Sequence, residues 1–393
     1  MSTKPWWRPI LGSGLLLCSA SSHAEWNGFA TLGGAWFSNA NADYVYNNLS
    51  TGSGHSYNPD LGLDSKLGLQ WTDKWHESVR VNAQALVARN SVNEFSPNIT
   101  LANLAFDLSD RVSLTLGRTQ NPNFIYSDHR HINYALPWVR PPSEVYGVTS
   151  IFNYDGVQAT IELARHHTQA TKLVVGAAQA ENHYSFDAGH SQNSLKATEM
   201  IYASLSRQSY RWLFKLSVET GRLSTDNMML SQALDNIALT NAGLSQRLSL
   251  DHKPYYLVAL GMKYDTDDHV LIAELAHRKL SAYFGQRTGA YLTYGRRLND
   301  WMPYITLART QTALDNDAEP IAQKLFTSAR DASTSVALGA SVELNAQMTL
   351  KAETKWLKPD ANSGWTYANY QPGYDLSRPG EDWLFSIAVS TVF

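Results

Sequence analysis

Along most of its length the chain alternates apolar and polar residues with period two, and the links between these runs alternate between tight turns and long connections. In the run 61–71, Leu61, Leu63, Leu67, Leu69 and Trp71 alternate with Gly62, Asp64, Lys66, Gly68 and Gln70. In 333–344, Val336, Leu338, Ala340, Val342 and Leu344 alternate with Ser335, Ala337, Gly339, Ser341 and Glu343. Period-two patterning marks strands with one apolar face. Tight turns at 72–74, 109–110, 166–170, 207–209, 265–268, 299–300 and 345–346 join such runs into seven pairs. A first run at 26–37 and a last at 382–393 bring the count to sixteen. The remaining connections are 38–60, 89–98, 118–152, 181–198, 222–254, 282–287, 312–332 and 358–381, and all but the sixth are longer than the tight turns.

An even strand number with alternating connection lengths predicts an all-β fold: a transmembrane antiparallel β-barrel of 16 strands, with short periplasmic turns and long extracellular loops. A bilayer admits strands only where every backbone amide is paired, which closure achieves and an open sheet does not. A soluble sandwich with one wet face has no reason to keep the alternation of connection lengths. Sixteen strands also exceed what inward side chains can fill, so a water-filled lumen is expected. Trp36, Trp71, Trp75, Trp301, Trp356 and Trp383 fall near strand ends, where interfacial aromatic girdles belong.

The ends fit an exported chain. Residues 1–24 read as a signal peptide, with Lys4 and Arg8 ahead of a short apolar core and Ser22-His23-Ala24 as a small-x-small cleavage site. That core is too short to span a membrane, which takes about 20 residues. Cleavage would remove Cys18, the only cysteine, leaving 25–393 as the barrel. Leu17 is too bulky before Cys18 for a lipidation site. Formal net charge is −3, cleavage removes two basic residues, and no basic stripe is present, which argues against a nucleic-acid partner. In the last run Trp383, Phe385, Ile387, Val389 and Phe393 share one face, with Ser386, Ala388 and Ser390 on the other.

Signal peptide, strand count, the position of a long connection after strand five and the terminal Phe393 together resemble the sixteen-stranded Gram-negative outer-membrane porins. The resemblance implies a passive diffusion channel for small hydrophilic solutes or ions. It also implies contact with outer-membrane lipid and lipopolysaccharide, a homotrimer, and Phe393 as an assembly signal read by the barrel-assembly machinery. In that family the loop after strand five folds inward and narrows the channel. Here 118–152 contains Asn121-Pro122, Tyr126-Ser127-Asp128-His129-Arg130-His131 and Pro137-Trp138-Val139-Arg140-Pro141-Pro142, whose prolines suggest a shaped segment. It departs from the Pro-Glu-Phe-Gly-Gly pattern of enteric porins, so solute selectivity does not carry over.

The constriction candidates follow from the loop and from parity. Asp128 and Glu144 are the loop's acids, and Arg130 and Arg140 add positive charge. Lys66 and Arg80 point inward, as do Lys215, Lys263, Arg278, Arg297 and Lys351. Asp128 and Glu144 are expected to lie near Lys66 or Arg80. The bland alternative for each is an ordinary solvated or mutually paired charge.

No catalytic residue, metal or cofactor is assigned. His129-x-His131 and His166-His167 lack a companion ligand set. Asp315-Asn316-Asp317 lacks the glycine and distal glutamate of a calcium loop, and reads as a charged outer loop. A barrel-type hydrolase is the alternative of another class, with Ser127, His129 and Asp128 supplying its atoms. A blocked structural or adhesion barrel is the third reading.

Overall fold

In the computed structural model, the described residues are 24–393 apart from 48, 167, 186–189, 191, 284, 314–329 and 365. The leader 1–23, Cys18, His167 and Asp315-Asn316-Asp317 therefore lie outside the described residues.

The strands in chain order are β1 (Glu25–Phe37), β2 (Asp43–Tyr44), β3 (Ser53–Gly54), β4 (Lys66–His76), β5 (Val79–Arg89), β6 (Phe95–Ser109), β7 (Val112–Gln120), β8 (Asn153–His166), β9 (Gln169–Tyr184) and β10 (Asn193–Gln208). They continue with β11 (Trp212–Thr225), β12 (Lys253–Asp265), β13 (His269–Leu280), β14 (Gln286–Arg296), β15 (Trp301–Ala313), β16 (Ser333–Asn345), β17 (Met348–Pro359), β18 (Tyr367–Ala368) and β19 (Asp382–Val392). Sixteen of them form a closed antiparallel barrel of sequential neighbours, sealed where β1 pairs with both β4 and β19. Closure leaves no edge strand and so pairs the ladder throughout. The short strands β2, β3 and β18 form a separate small sheet that ties the first outer connection to the last.

The two faces differ as the period-two pattern requires. On β14 the inward Arg287, Tyr291 and Thr293 are buried while Leu292 and Tyr294 are exposed. On β19 Leu384, Ser386 and Ala388 are buried while Trp383, Phe385 and Ile387 face out. Trp212 stacks on Phe214 and packs against Tyr264 on the outer face, with centroids 5.5 and 4.5 Å apart. An exposed apolar band with an aromatic rim is what lipid contact demands.

Several expected bounds shift: the run read as a strand from Leu61 becomes β4 only at Lys66, and the connection read at 181–198 narrows to 185–192. The turn expected at 72–74 lies beyond His76, because Asp73 and Lys74 continue β4 opposite Val81 and Arg80. The irregularity there is a bulge between Lys74 and His76, which absorbs the turn-like residues without ending the strand. The connection expected at 89–98 shrinks to residues 90–94, so it is short like the sixth. Asn90 closes it by accepting from the backbone N–H groups of Val92 and Glu94 at 2.9 and 3.0 Å.

The buried apolar residues sit inside the barrel. The fifth long connection forms α2 (Met228–Ala238) and α3 (Ala242–Leu248), after α1 (Ser143–Tyr146) in the third. Asn227 and Asn241 cap α2 and α3 by accepting from the N–H groups of Leu230 and Leu244 at 2.8 and 2.9 Å. Leu230, Leu234 and Ile237 share a helix face and pack with Leu195, Leu223 and Tyr255 of the inner wall. A separate cluster joins Phe37, Tyr44, Leu357, Tyr367 and Leu384 under the small sheet.

Candidate functional site

The third long connection begins after Gln120 and runs to the start of β8, since β7 extends past Arg118. Arg118 thus belongs to the wall, where it makes a bidentate ion pair with Asp155 at 2.7 Å to each oxygen. The connection lies in the lumen, and most of the wall groups that hold it are inward-facing side chains of β11 through β19, joined by Tyr154 of β8 and by Asp64 just before β4.

Its first part is fixed by two buried wall carboxylates. Glu219 accepts from Asn123 Nδ2 at 2.7 Å and from Tyr255 Oη at 2.6 Å, and also from Tyr154 Oη. Glu274 accepts from the Ile125 N–H and from Tyr291 Oη, both at 2.7 Å. Lys215 donates to the Phe124 carbonyl at 2.9 Å. Each bond meets a group that would otherwise be buried without a partner.

The proline-rich middle rests on β14, β15 and β17. Trp138 is 1% exposed, and its indole N–H lies 3.0 and 3.1 Å from the hydroxyls of Thr293 and Thr306. Its ring meets Tyr126 and Tyr291 edge-on, each at 5.4 Å. Lys351 donates to the carbonyls of Asn133, Leu136 and Trp138, converting a wall cation into a clamp for the loop backbone. Arg140 reaches the adjoining strand β19 and the segment before β4, gripping Asp64 at 2.9 and 2.6 Å and Ser386 Oγ at 2.9 Å. Asp64 and Arg140 are both almost fully buried, so the pair is a constraint that neither partner can leave alone cheaply.

The last part carries α1. Glu144 meets Lys355 Nζ at 2.9 Å and accepts from Ser335 Oγ. Burial alone would raise its carboxyl, but Lys355 and Ser335 outweigh it and hold it below the usual carboxylate range. Helix α1 comes so close to β14 that a Cβ on Gly289 would strike the Glu144 carbonyl oxygen. Glycine is the one residue that permits this approach. Arg278 and Arg287 donate to the carbonyls of Val148 and Gly147 at 3.0 and 2.6 Å.

The sequence candidates therefore divide into separate groups. The expectation that Asp128 and Glu144 lie near Lys66 or Arg80 is corrected. Glu144 is locked against β16 and β17, whereas Asp128 is exposed at the tip and acts on His129 and Lys215. Arg80 faces inward as parity requires, but pairs with Asp107 at 2.9 Å beside the tight turn after β4, away from the loop. Lys263 and Arg297 both pair with Asp265, at 2.8 and 2.7 Å. Lys66 lies within electrostatic reach of Arg130 and Arg140.

The tip keeps most of the half-buried and exposed side chains of the loop: Asp128, His129, Arg130, His131, Ile132, Tyr134 and Ala135. Arg130 lies over the Phe152 ring at 3.3 Å and donates through Nε to His131 Nε2 at 3.0 Å. Burial, then Arg130 and Lys66, hold the His131 imidazole well below its ordinary pKa, so it is neutral at neutral pH. The wall of β4 to β7 carries paired amides beside Lys66 and the Arg80–Asp107 pair: Gln84 donates to Gln70 at 2.9 Å and Asn82 to Asn103 at 3.0 Å.

The Ser127, His129 and Asp128 atoms do not form a nucleophile site. Ser127 Oγ donates to Asn121 Oδ1 at 2.9 Å and accepts from the Phe124 N–H at 2.9 Å, while His129 packs edge-on against Tyr126. A nucleophile needs a base in hydrogen-bond reach.

Glu219, Glu274, Glu353, Lys355 and Asp64 were not among the sequence candidates. Their inward parity in strand-like runs was the available signal, because a buried acid on that face needs a partner from inside the barrel.

No protein-family model and no curated protein matches the sequence. Solved structures do match in fold. The outer membrane channel DcaP of Acinetobacter baumannii aligns with TM-score 0.59 and 14% identity, over 96% of this chain and 99% of that one. OmpF of Salmonella typhi, in complex with daunomycin, aligns with TM-score 0.58 and 11% identity over 96% and 99%. The anion-selective porin from Comamonas acidovorans aligns with TM-score 0.56 and 10% identity over 95% and 100%. At such identities the likeness is one of fold: this chain has the closed sixteen-stranded barrel architecture of the outer-membrane porins.

Proposed function

We propose that the protein is an outer-membrane channel for passive diffusion of small hydrophilic solutes. The observation that carries this reading is the long connection 121–152, pinned inside a closed barrel along the β11–β19 wall and keeping a polar tip. A sixteen-stranded barrel has lumen to spare, and an inserted segment held at this many points narrows it without moving. The loop thus sets a size limit, and the solutes that pass are small and hydrated.

The exposed apolar outer band supports an outer-membrane location, and charged outer connections suit contact with lipopolysaccharide headgroups. A trimer is the proposed assembly; one of the fold neighbours, OmpT of Vibrio cholerae, is described in a trimer form. The arrangement around Ser127 weighs against a hydrolase of the same architecture.

Purified protein added to a planar lipid bilayer should give discrete, ohmic conductance steps. A folded, heat-modifiable preparation that gives no steps would favour the blocked structural barrel and overturn the channel reading.

A further inference from the structure

Most outward-facing side chains at mid-wall are apolar, but Arg118 and Asp155 are charged. They face each other across β7 and β8 on the outer side, in the same files as the exposed Leu116 and Val157. The register gives their depth. Arg118 lies opposite Ala102, the central residue of the fifteen in β6, and β6 continues past that level toward its outer end with Ile99 and Phe95 exposed. The pair therefore stands inside the apolar band, with side-chain exposures of 35% and 38%. Two other exposed pairs lie near outer strand ends: Glu199 meets Arg222 and also His252 just before β12, and Arg309 meets Asp360 just past β17. An arginine stranded in lipid extends its stem toward the interface. Arg118 instead lies flat on the wall, with Nε and Nη2 donating to Asp155 at 2.7 Å each and Nη1 to the Ile99 carbonyl at 3.1 Å.

We propose that the outer face around Arg118 and Asp155, from β6 to β9, is a contact between copies of this chain, so that protein and not lipid covers the pair. The inference rests on the outer-membrane and trimer readings above and names the face. A charged side chain on the lipid side of a barrel costs most at the midplane, and a protein neighbour lowers that cost by supplying polar groups. The face carries both signs, so it is complementary to its own copy. A guanidinium has five N–H donors and a carboxylate about four acceptor sites. Arg118 spends three donors within the protomer and Asp155 accepts two, so each can still bond the opposite charge of a neighbouring copy. Small side chains let two walls approach closely: Ala83 and Ala102 share the face on one side and Ala177 on the other. Gln179, exposed opposite Asp155, adds an amide that can donate or accept across the contact.

The test uses the protein extracted from outer membranes in mild detergent. Its mass should be that of an oligomer. Arg118→Leu, which leaves Asp155 unpaired, should lower the oligomer-to-monomer ratio about tenfold while the monomer keeps a heat-modifiable barrel. Exchanging the charges, Arg118→Asp with Asp155→Arg, should restore the oligomer, which a merely local role in barrel stability does not require. Cys18 is the chain's only cysteine, so a Cys18→Ser parent gives a clean background for cross-linking in membranes. There Gln179→Cys should join copy to copy through a short bifunctional maleimide, whereas Leu292→Cys, exposed on β14 across the barrel, should not. These two variants keep the charge pair and decide the matter if Arg118→Leu does not fold. A monomeric wild type, an oligomer that Arg118→Leu leaves intact, or copies joined through Leu292→Cys and not Gln179→Cys would overturn the contact and leave the channel standing. Cross-linking of Gln179→Cys to a different protein would overturn the second copy as the occupant. A wild type absent from the outer membrane would overturn the location on which the inference rests.

Discussion

Asp128 and Glu144 are the two acids of one loop, and their surroundings give them opposite roles. Glu144 is 2% exposed with Lys355 and Ser335 on its oxygens, so its charge is cancelled locally and a passing ion meets little of it. Asp128 is exposed at the tip. Asp128→Asn is therefore expected to move ion preference toward anions, whereas Glu144→Gln should leave it unchanged. Glu144→Gln should instead weaken the loop's attachment by about 3–5 kcal/mol, since it strands the buried Lys355 charge. The zero-current potential reads the first effect, and the midpoint of heat modification reads the second. Equal shifts of potential in both variants would mean that Glu144 also faces the ion path. The sequence marked both residues, and strand parity pointed Lys66, Arg80, Lys215, Lys263, Arg278, Arg297 and Lys351 inward. Their partners were not legible, because these depend on which wall the loop follows. That path is set by contacts between residues far apart in the chain, such as Arg140 with Ser386 or Lys351 with Asn133.

At the level of elements, strands were easier to read than the links between them. Period two survives any local change of register, so the apolar files and their number were visible directly. The turn after β4 was displaced because Asp73 and Lys74 have turn-like chemistry but sit in extended backbone beside a bulge. Helices α2 and α3 escaped notice since their apolar spacing falls inside a segment read as an outer connection, though Asn227 and Asn241 are ordinary capping residues. The third connection divides into anchors and a tip, which the sequence could not show. Its anchors are Asn123, Ile125, Trp138, Arg140 and Glu144; its tip is the segment around Asp128 to Ile132. Removing residues 128–132 and bridging the gap with glycines should keep the anchors and widen the passage. Single-channel conductance should rise, because the segment that narrows the lumen is shortened while its anchors stay. Trp138→Ala acts differently: it removes a buried indole at a cost of about 3–5 kcal/mol, and should produce noisy, fluctuating current instead of a larger steady one. Unchanged conductance after the tip deletion would place the limiting aperture elsewhere in the barrel.

The whole molecule depends on one seam, where β19 returns to β1. Registry along it runs from Phe29 opposite Val392 to Phe37 opposite Leu384, and Phe393 extends it by exchanging backbone hydrogen bonds with Gly28 at 2.6 and 2.9 Å. The Phe393 ring fills the space that a Cβ on residue 28 would need. Two roles for Phe393 can therefore be separated. If its ring closed the seam by burial, replacing it would harm folding everywhere. Phe393 is 59% exposed, however, so it packs only in part against the protein and its contribution to closure is small. Phe393→Ser should accordingly refold in detergent nearly as well as the parent, since the backbone pairing with Gly28 does not need the ring. In cells the same variant should show a several-fold loss of heat-modifiable barrel from the outer membrane, because the aromatic side chain is proposed to be what the assembly machinery reads. Gly28→Leu gives the contrasting case: it forces the ring aside and crowds the seam itself, so refolding in detergent and yield in cells should fall together. Normal outer-membrane levels of Phe393→Ser would remove the assembly role, and a refolding defect matching that of Gly28→Leu would assign the residue to closure instead.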